Sequence, residues 1–267
     1  MLVFNVIMLN VKIAVSTLSI YTYRDVDLID FIEGNSDVKF WEIIDEGFHK
    51  LSDDVIPKLK EMAVRLNLFF SVHAPILSIN IAESEPYLRR TYLKYLEKSI
   101  SNASKIDSEV YIIHSGNLTS LTYFYPELAW SSLIESINHI AKYAYNHGLK
   151  IAVENGSSKT DMFRSGDDGL RIVNSVNLDN VGLCLDIGHA LISNSLIDIT
   201  HKLKDRIIHL HVHDNDGVKD THSPLGSGKA PQNILKDFLK EFKGWITAEN
   251  YNIEDSRKTL KNILNLL

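Results

Sequence analysis

The side chains that could carry out chemistry lie where apolar runs of this sequence end. Six such runs end at residue types that bind metal ions, namely His73, His114, Glu154, Asp186, His211 and Glu249. Continuous apolar runs are typical of strands that are covered on both faces, as in a parallel sheet. In a (β/α)8 barrel the carboxyl ends of the strands and the loops after them build the active site. The pattern therefore predicts a site for one or several metal ions at the mouth of a barrel.

Eight strand-like runs could position these residues. They are Val11–Val15, Lys39–Ile43, Leu68–His73, Val110–His114, Lys150–Glu154, Val181–Asp186, Arg206–His213 and Trp245–Glu249. Helical patterns alternate with them, among them 52–66, 84–106, 125–148, 231–244 and 254–266. Helix ends are marked by Gly148 and Gly244, and a helix start by Pro231. The alternation predicts that residues 1–267 form a single (β/α)8 TIM barrel domain.

Composition limits the classes of function. The chain has 267 residues, is 45% hydrophobic and carries a net charge of −6 without a basic run. This charge argues against nucleic acid as a partner, and no apolar stretch approaches the roughly 20 residues that span a bilayer. The only cysteine, Cys184, excludes an internal disulfide and favours a reducing, cytoplasmic location. Residues 1–7 do not resemble a signal peptide and are interpreted as a possible flexible extension.

Strand alternation indicates which neighbours share the barrel interior, because residues two apart point to the same face. If Glu154 points inward, so does Ala152, and if Asp186 points inward, so does Cys184 one layer deeper. Three histidines of the seventh strand, at 209, 211 and 213, share one face. We expect His211 to be the ligand and His209 to lie below it in the core.

Each candidate also has a purely structural interpretation. The Glu154 and Asp186 carboxylates could simply cap the next helix, and an isolated strand-end histidine could be a hydrogen-bonded core residue. Cys184 is expected to be a small buried hydrophobe. Glu42 could line the site, although a structural hydrogen bond is the favoured interpretation. Four further histidines are expected to face solvent: His49, His139, His147 and His201.

The strings "HAP", "IIHSG", "VEN", "LDIGHA", "HVHDN", "DTHSPLGSG" and "AEN" resemble the signature elements of the xylose isomerase-like barrel superfamily. This superfamily includes sugar phosphate isomerases and epimerases and the endonuclease IV group, and the similarity runs from about Val11 to Glu249. The resemblance implies that one divalent ion is held by Glu154, Asp186, His211 and Glu249. In the endonuclease branch it implies a trinuclear zinc site that adds His73, His114, His189, Asp220 and His222. All nine residue types are present, so ligand identity does not separate the two branches.

Three departures bear on the choice of branch. Ser227 stands where the family pattern has a glutamate in "GEG", and no arginine follows the seventh strand between His213 and Ala230. The endonuclease branch needs basic loops that grip DNA. Here the two long rim loops contain six acidic residues: Asp161, Asp167, Asp168, Asp214, Asp216 and Asp220.

The resemblance and the strand-end residues together predict a divalent-metal-dependent isomerase or epimerase. The substrate would be a small sugar, a sugar phosphate or a related hydroxy-carbonyl compound that reacts through an enediolate. Glu154 and Glu249 would be the catalytic carboxylates, and the ion would be Mn, Mg, Co or Zn.

Further roles and alternatives accompany this prediction. His189 would orient a substrate oxygen, and His73 and His114 would line the pocket. The alternatives are zinc-dependent hydrolysis of abasic DNA, and a barrel that binds a metabolite without turnover. A homo-oligomer remains open, and neither nucleic acid nor a membrane is expected as a partner.

Overall fold

The computed structural model describes residues 11–176 and 178–267. Eight parallel strands pair in sequence order, and β1 pairs with β8, so the sheet is a closed barrel. The strands are β1 Lys12–Ser16, β2 Phe40–Ile44, β3 Phe69–His73, β4 Val110–His114, β5 Lys150–Glu154, β6 Val181–Asp186, β7 Ile207–Val212 and β8 Trp245–Ala248. The predicted (β/α)8 TIM barrel is confirmed.

Helices lie between the strands and form the outer layer. They are α1 Leu28–Gly34, α2 Val55–Leu66, α3 Pro86–Lys105, α4 Ser120–Phe124, α5 Pro126–Tyr145, α6 Gly166–Ser175, α7 Ile187–Ile192, α8 Leu196–Leu203, α9 Gln232–Leu239 and α10 Ile253–Leu266. The helix predicted at 231–244 is shorter than expected, and it ends at Leu239 before the chain reaches Gly244. None of the helices in the described part of the chain has the length and apolar character needed to cross a bilayer.

Strand register brings the metal-ligand residue types to one end of the barrel. His114 pairs with Glu154 across β4 and β5, and Asp186 pairs with His211 across β6 and β7. A register shift between Leu183 and Cys184 accompanies the second pairing. Parallel strands all end at the same edge of a sheet, so these residues meet at the carboxyl-end mouth, as predicted.

Two apolar layers support the barrel. A small cluster fills its interior and includes Ala14, Ile112, Ala152, Cys184 and Trp245. A much larger cluster packs the outer faces of the strands against the helices. Ala152 and Cys184 are fully buried in the interior layer, which confirms the alternation argument and the assignment of Cys184 as a small buried hydrophobe.

One sequence prediction about the histidines is wrong. His49 does not face solvent: it is only 3% exposed, and its Nε2 lies 2.9 Å from the carbonyl oxygen of Val26. The bond joins loops that are 23 residues apart, a contact that local sequence cannot indicate. His139 and His201 are exposed as predicted, and His147 is partly buried. The possible extension at residues 1–7 lies outside the described residues, so the assignment of 1–267 to one domain stays a prediction.

Candidate metal centre and active site

The six strand-end residues lie together at the mouth of the barrel. His73, His114, Glu154 and Asp186 are the last residues of β3 to β6, while His211 precedes the last residue of β7 and Glu249 follows β8. Five of the six are buried, and the exception is His114, whose side chain is 42% exposed. The mouth therefore contains a dense set of nitrogen and carboxylate donors with one side open to solvent.

A first group of donors consists of His73, His114 and Glu154. The Nε2 atoms of His73 and His114 lie 3.1 and 3.2 Å from the same oxygen, Oε2 of Glu154. These are hydrogen-bond distances for a protonated ring nitrogen, and they are also close to the spacing of ligands around one ion. Metal–ligand bonds of about 2.1 Å in a tetrahedral arrangement separate the ligand atoms by about 3.4 Å.

A second group surrounds Nδ1 of His211. This nitrogen lies 3.0 Å from Oε1 of Glu154, 3.5 Å from Oε2 of Glu249 and 3.8 Å from Oδ2 of Asp186. Glu154 thus directs one carboxylate oxygen to each group, Oε2 to the first and Oε1 to the second. A carboxylate that faces two donor groups in this way is suited to bridge two ions.

A third group combines one residue of α7 with two residues of the loop after β7. The Nε2 atoms of His189 and His222 lie 3.0 and 3.4 Å from Oδ2 of Asp220. His189 belongs to α7, whereas Asp220 and His222 belong to the loop between β7 and α9. The nine residues predicted from the sequence are therefore all brought to the mouth of the barrel, in three neighbouring groups.

Backbone hydrogen bonds favour the tautomers that ligands of a metal ion need. Nδ1 of His73, His189 and His222 lies 2.8 to 2.9 Å from the carbonyl oxygens of Ala74, Asn155 and Glu249, respectively. A carbonyl can only accept, so each Nδ1 carries a proton and each Nε2 is the ring nitrogen that faces the donor group and could bind an ion. His211 is reversed, since its Nε2 faces the Glu42 carboxylate and its Nδ1 faces the second group. Such hydrogen bonds typically orient imidazole ligands of metal ions.

Asp186 caps the next helix with one oxygen and directs the other into the site. Its Oδ1 caps helix α7 by accepting the backbone N–H of His189 at 2.7 Å. Its Oδ2 points into the site and lies 3.1 Å from Nε2 of His213. Capping uses one oxygen, so the other remains available to an ion.

The carboxylates and histidines of the site shift one another's pKa values. Burial alone would raise the pKa of the Glu154 carboxyl, but His211 and His114 hold it well below its ordinary value. Burial alone would lower the pKa of His222, but Asp220 and Glu249 raise it to about 9. Without an ion, therefore, protons on the histidines balance the carboxylates, and a bound cation would take over this role.

His213 is a site residue that the sequence analysis did not assign. Besides donating toward Asp186, its ring stacks on that of His222 at 3.9 Å with only 16° between the planes. Lone pairs of imidazole lie in the ring plane, so two stacked parallel rings cannot both point at one ion. His213 therefore orients Asp186, and it packs so closely on the backbone of Gly188 that a Cβ there would lie 1.9 Å from its Cε1.

The asparagines that directly follow Glu154 and Glu249 form hydrogen bonds with the backbone of neighbouring segments. Asn155 pairs with the backbone of Asp186 through both its amide oxygen and its amide nitrogen, at 2.8 and 3.1 Å. Asn250 donates to the carbonyl oxygen of His222 at 2.8 Å. The repeated Glu-Asn dipeptide at the ends of β5 and β8 was the sequence signal for this shared arrangement.

The backbone of His222 is in the left-handed region, with φ of 45°, where a residue other than glycine is strained.

The loop between β7 and α9 is organised by Asp214. This fully buried carboxylate accepts the backbone N–H groups of Asn215, Gly226, Gly228 and Ala230, each at 2.9 Å. Its charge is therefore used inside the protein and does not face a ligand. Ser227, which replaces the expected glutamate, is exposed and donates to the carbonyl oxygen of Pro224.

A cavity of about 200 Å³ opens beside Glu154. Its lining includes His114 and His189 from the donor groups, together with Asn117, Ser157 and Asp161. Of the described residues around this cavity, none is a lysine or arginine. A larger cavity of about 570 Å³ lies at the opposite end of the barrel, near Lys12 and Trp245, and contains none of the nine site residues.

Comparison with known proteins identifies relatives along almost the whole chain. An uncharacterized protein of Methanocaldococcus jannaschii is 31% identical over 236 residues, which cover 85% of this chain and 80% of that protein. The crystal structure of a D-tagatose 3-epimerase-like protein superposes with a TM-score of 0.86 at 30% identity, over 96% of this chain and 97% of that one.

Shorter matches fall in both branches. Fructoselysine 3-epimerase of Shigella flexneri is 25% identical over 64% of this chain and 62% of that protein. A probable endonuclease 4 of Mycoplasma mycoides subsp. mycoides is 27% identical over 59% of this chain and 58% of that protein. The family described as the xylose isomerase-like TIM barrel matches residues 29–266. The chain belongs to the xylose isomerase-like TIM barrel family.

Proposed function

We propose that this protein is a divalent-metal-dependent epimerase or isomerase of a small sugar or a related hydroxy-carbonyl compound. The observation that carries the proposal is the convergence of two carboxylates, Glu154 and Glu249, on His211 Nδ1, at 3.0 and 3.5 Å. The two carboxylates come from β5 and the end of β8, which are not adjacent in the barrel. The 30% identical structure of a D-tagatose 3-epimerase-like protein supports the same class of reaction.

The donor set fits a divalent ion. Carboxylates mixed with imidazole suit Mn, Co or Zn, and also Mg where oxygen donors dominate. Glu154, Asp186, His211 and Glu249 would hold it, and it would supply Lewis-acid stabilisation of the negative charge on an enediolate. A second or third ion is also proposed, at His73 and His114 with Glu154, and at His189, Asp220 and His222.

The protein's own residues would move the proton. One of the two carboxylates, Glu154 or Glu249, removes the proton at the carbon next to the carbonyl group. The other, protonated before the step, donates its own proton to the opposite face, as epimerisation requires, while the first keeps the proton that it removed. Both groups are almost fully buried, so bulk water does not compete for the proton during transfer.

The cavity beside Glu154 indicates the kind of substrate. Hydroxyl groups can pair with Asn117, Ser157 and Asp161, which line it. Its volume of about 200 Å³ is below that of most ligand pockets, which suits a compact molecule. Because no lysine or arginine is found among the described lining residues, an uncharged sugar fits this wall better than a sugar phosphate.

Isotope exchange tests the proposal most directly. Protein loaded with Mn²⁺, Co²⁺ or Zn²⁺ is incubated with a panel of ketohexoses in D2O, and NMR follows epimer formation and deuterium entry at the α-carbon. Glu249→Gln and Glu154→Gln should each abolish deuterium entry or turnover. Asp45→Asn is the matched control, because the buried Asp45 carboxylate accepts from the N–H of Leu51 and from the hydroxyl of Ser99. Asp45 contacts His73 through its backbone N–H, which the substitution keeps. Wild-type rates of exchange in both glutamine variants would contradict the two-carboxylate mechanism.

A second candidate function is phosphodiester hydrolysis at abasic DNA. The observation in its favour is the convergence of all nine residues into three donor groups, the last of them built on Asp220. Against it stand the net charge of −6 and the absence of basic side chains among the described residues that line the cavity. Incision of an abasic duplex by zinc-loaded protein, lost in His114→Ala, would favour the nuclease, and its absence alongside sugar epimerisation would exclude it.

Two further expectations stay predictions. A cytoplasmic location rests on the single cysteine, which is buried and free. Assembly into a homo-oligomer is decided by the molar mass of the native protein from light scattering.

A further inference from the structure

Glu42 is a buried carboxylate that lies beneath the donor groups. It belongs to β2, is 0% exposed, and contacts β7 on the far side of the barrel interior. Its Oε2 lies 2.8 Å from Nε2 of His209 and 3.2 Å from Nε2 of His211. Weaker contacts come from the hydroxyl groups of Ser71 and Thr247, at 3.5 and 3.4 Å. The Oε2 atom of Glu42 is thus contacted by side chains from three other strands, β3, β7 and β8.

The second oxygen of Glu42 is not satisfied. Oε1 has no hydrogen-bond partner within residues 11–176 and 178–267. The layer beneath is the apolar interior cluster that contains Cys184 and Trp245, and the His209 ring lies parallel to that of Trp245. Burying a half-satisfied carboxylate in such surroundings costs free energy, so stability alone does not account for this residue.

His211 lies between Glu42 and the second donor group. Its Nε2 faces Glu42, while Nδ1 faces Glu154, Glu249 and Asp186. Only the tautomer with its proton on Nε2 leaves the Nδ1 lone pair free for an ion. With an ion at Nδ1, the Glu42 carboxylate, which only accepts hydrogen bonds, would hold the remaining proton on Nε2.

We propose that Glu42 is a positioning residue for the metal centre, which fixes the tautomer and ring orientation of His211 and raises its strength as a ligand. His209 contacts the same carboxylate oxygen through its Nε2, at 2.8 Å, and so helps to hold it in place. This inference rests on the proposed metal dependence and extends it by a residue outside the nine. In other metal sites a carboxylate behind a histidine ligand typically changes metal affinity 10- to 100-fold.

Metal affinity of Glu42→Gln tests the inference, because glutamine keeps the size and one acceptor oxygen but removes the charge. Chelator-stripped protein is titrated with Co²⁺ and Zn²⁺ against a chromophoric chelator, and the visible spectrum of the Co²⁺ form reports ligand geometry. Asp45→Asn is the matched control, since it changes another buried carboxylate, which directly follows the same strand. We expect affinity about 10- to 100-fold weaker and a changed Co²⁺ spectrum for Glu42→Gln, with Asp45→Asn within twofold of wild type.

A merely structural role would give a different pattern. In that case Glu42→Gln would lower the melting temperature of the metal-free protein but would bind Co²⁺ with wild-type affinity and spectrum, and the inference would be overturned. An equal loss of affinity in Asp45→Asn would also overturn it. Partial recovery of the spectrum in Glu42→Asp, which keeps the charge on a shorter side chain, would support it.

A measurement on the unmodified protein covers the case in which Glu42→Gln does not fold. In ¹⁵N NMR spectra of the zinc-loaded protein, His211 should be protonated at Nε2 and ligated at Nδ1, the reverse of His73. Ligation of His211 through Nε2 would refute the inference. None of these tests uses sugar turnover, so they separate the two proposals: a wild-type protein that binds no ion refutes both, whereas unaffected binding in Glu42→Gln refutes only this one.

Discussion

Replacing Gly188 by alanine should disturb the site through a single misplaced methyl group. A Cβ at this position would lie 1.9 Å from Cε1 and 2.4 Å from Nδ1 of His213, whose ring is fully buried and stacked on His222. The ring must move by more than 1 Å, and it loses its 3.1 Å contact with Oδ2 of Asp186. Overpacking costs about 1–3 kcal/mol and a hydrogen bond to a charged group about 1.5–3 kcal/mol. Because helix propensity returns up to about 1 kcal/mol, we expect a net loss of about 1.5–5 kcal/mol.

Urea unfolding of the metal-free protein measures this loss, and a second glycine provides the control. Gly34 ends α1, and a Cβ there would have no atom within 4 Å, so Gly34→Ala should change stability by less than about 1 kcal/mol. In a His213→Ala background the clash partner is gone, so Gly188→Ala should cost little. An unchanged cost in that background would show that the close packing on His213 is not the cause, and wild-type stability of Gly188→Ala would refute the reasoning altogether.

Three other predictions concern ions, pH and helix capping. Saturating Zn²⁺ or Co²⁺ at about 100 times its dissociation constant should raise the melting temperature by about 5–10 °C relative to chelated protein, and a melting temperature indifferent to both would argue against the centre. The pKa of His222 is raised to about 9 and that of His189 well above its ordinary value, so the contribution of each to stability is complete below about pH 6.5 and is lost as pH rises through its folded-state pKa, about 9 for His222. The free energy of unfolding of chelated protein should be lower at pH 9.5 than at pH 6.5, and the difference should be smaller in His222→Gln. Metal affinity should instead rise over the same interval, because metal binding displaces these protons. Asp186→Asn should lower ion affinity more than it lowers the stability of the metal-free protein, because an amide oxygen can still cap α7, and equal losses would indicate a capping role alone.

Apolar run length allowed the strands to be predicted to within about one residue of their observed ends. The runs that become β4, β5 and β6 were predicted with the observed boundaries. Each is buried on both faces, so its composition alone marks it as a strand. Short helices such as α4 and α7 carry too few turns for a clear helical period, and capping and packing define them instead.

The donor residues could be identified from sequence because their types and positions recur at strand ends. Their grouping could not, since it depends on which oxygen of Glu154 faces which histidine. His213 was missed for a related reason: alternation places it on the same face as His211, but its depth and its stacking on His222 depend on loop geometry. The burial of His49 likewise results from a contact with a distant loop.

Glu154 gives each of its two oxygens to a different group of donors, and this division has an evolutionary consequence. Substituting the exposed His114 would weaken the first group without touching the ligands that Asp186, His211 and Glu249 provide to the second. In the proposed metal centre, a surface substitution would therefore change the number of bound ions with no rearrangement of strands. Such a barrel would change between one-ion and several-ion chemistry without a change in its fold.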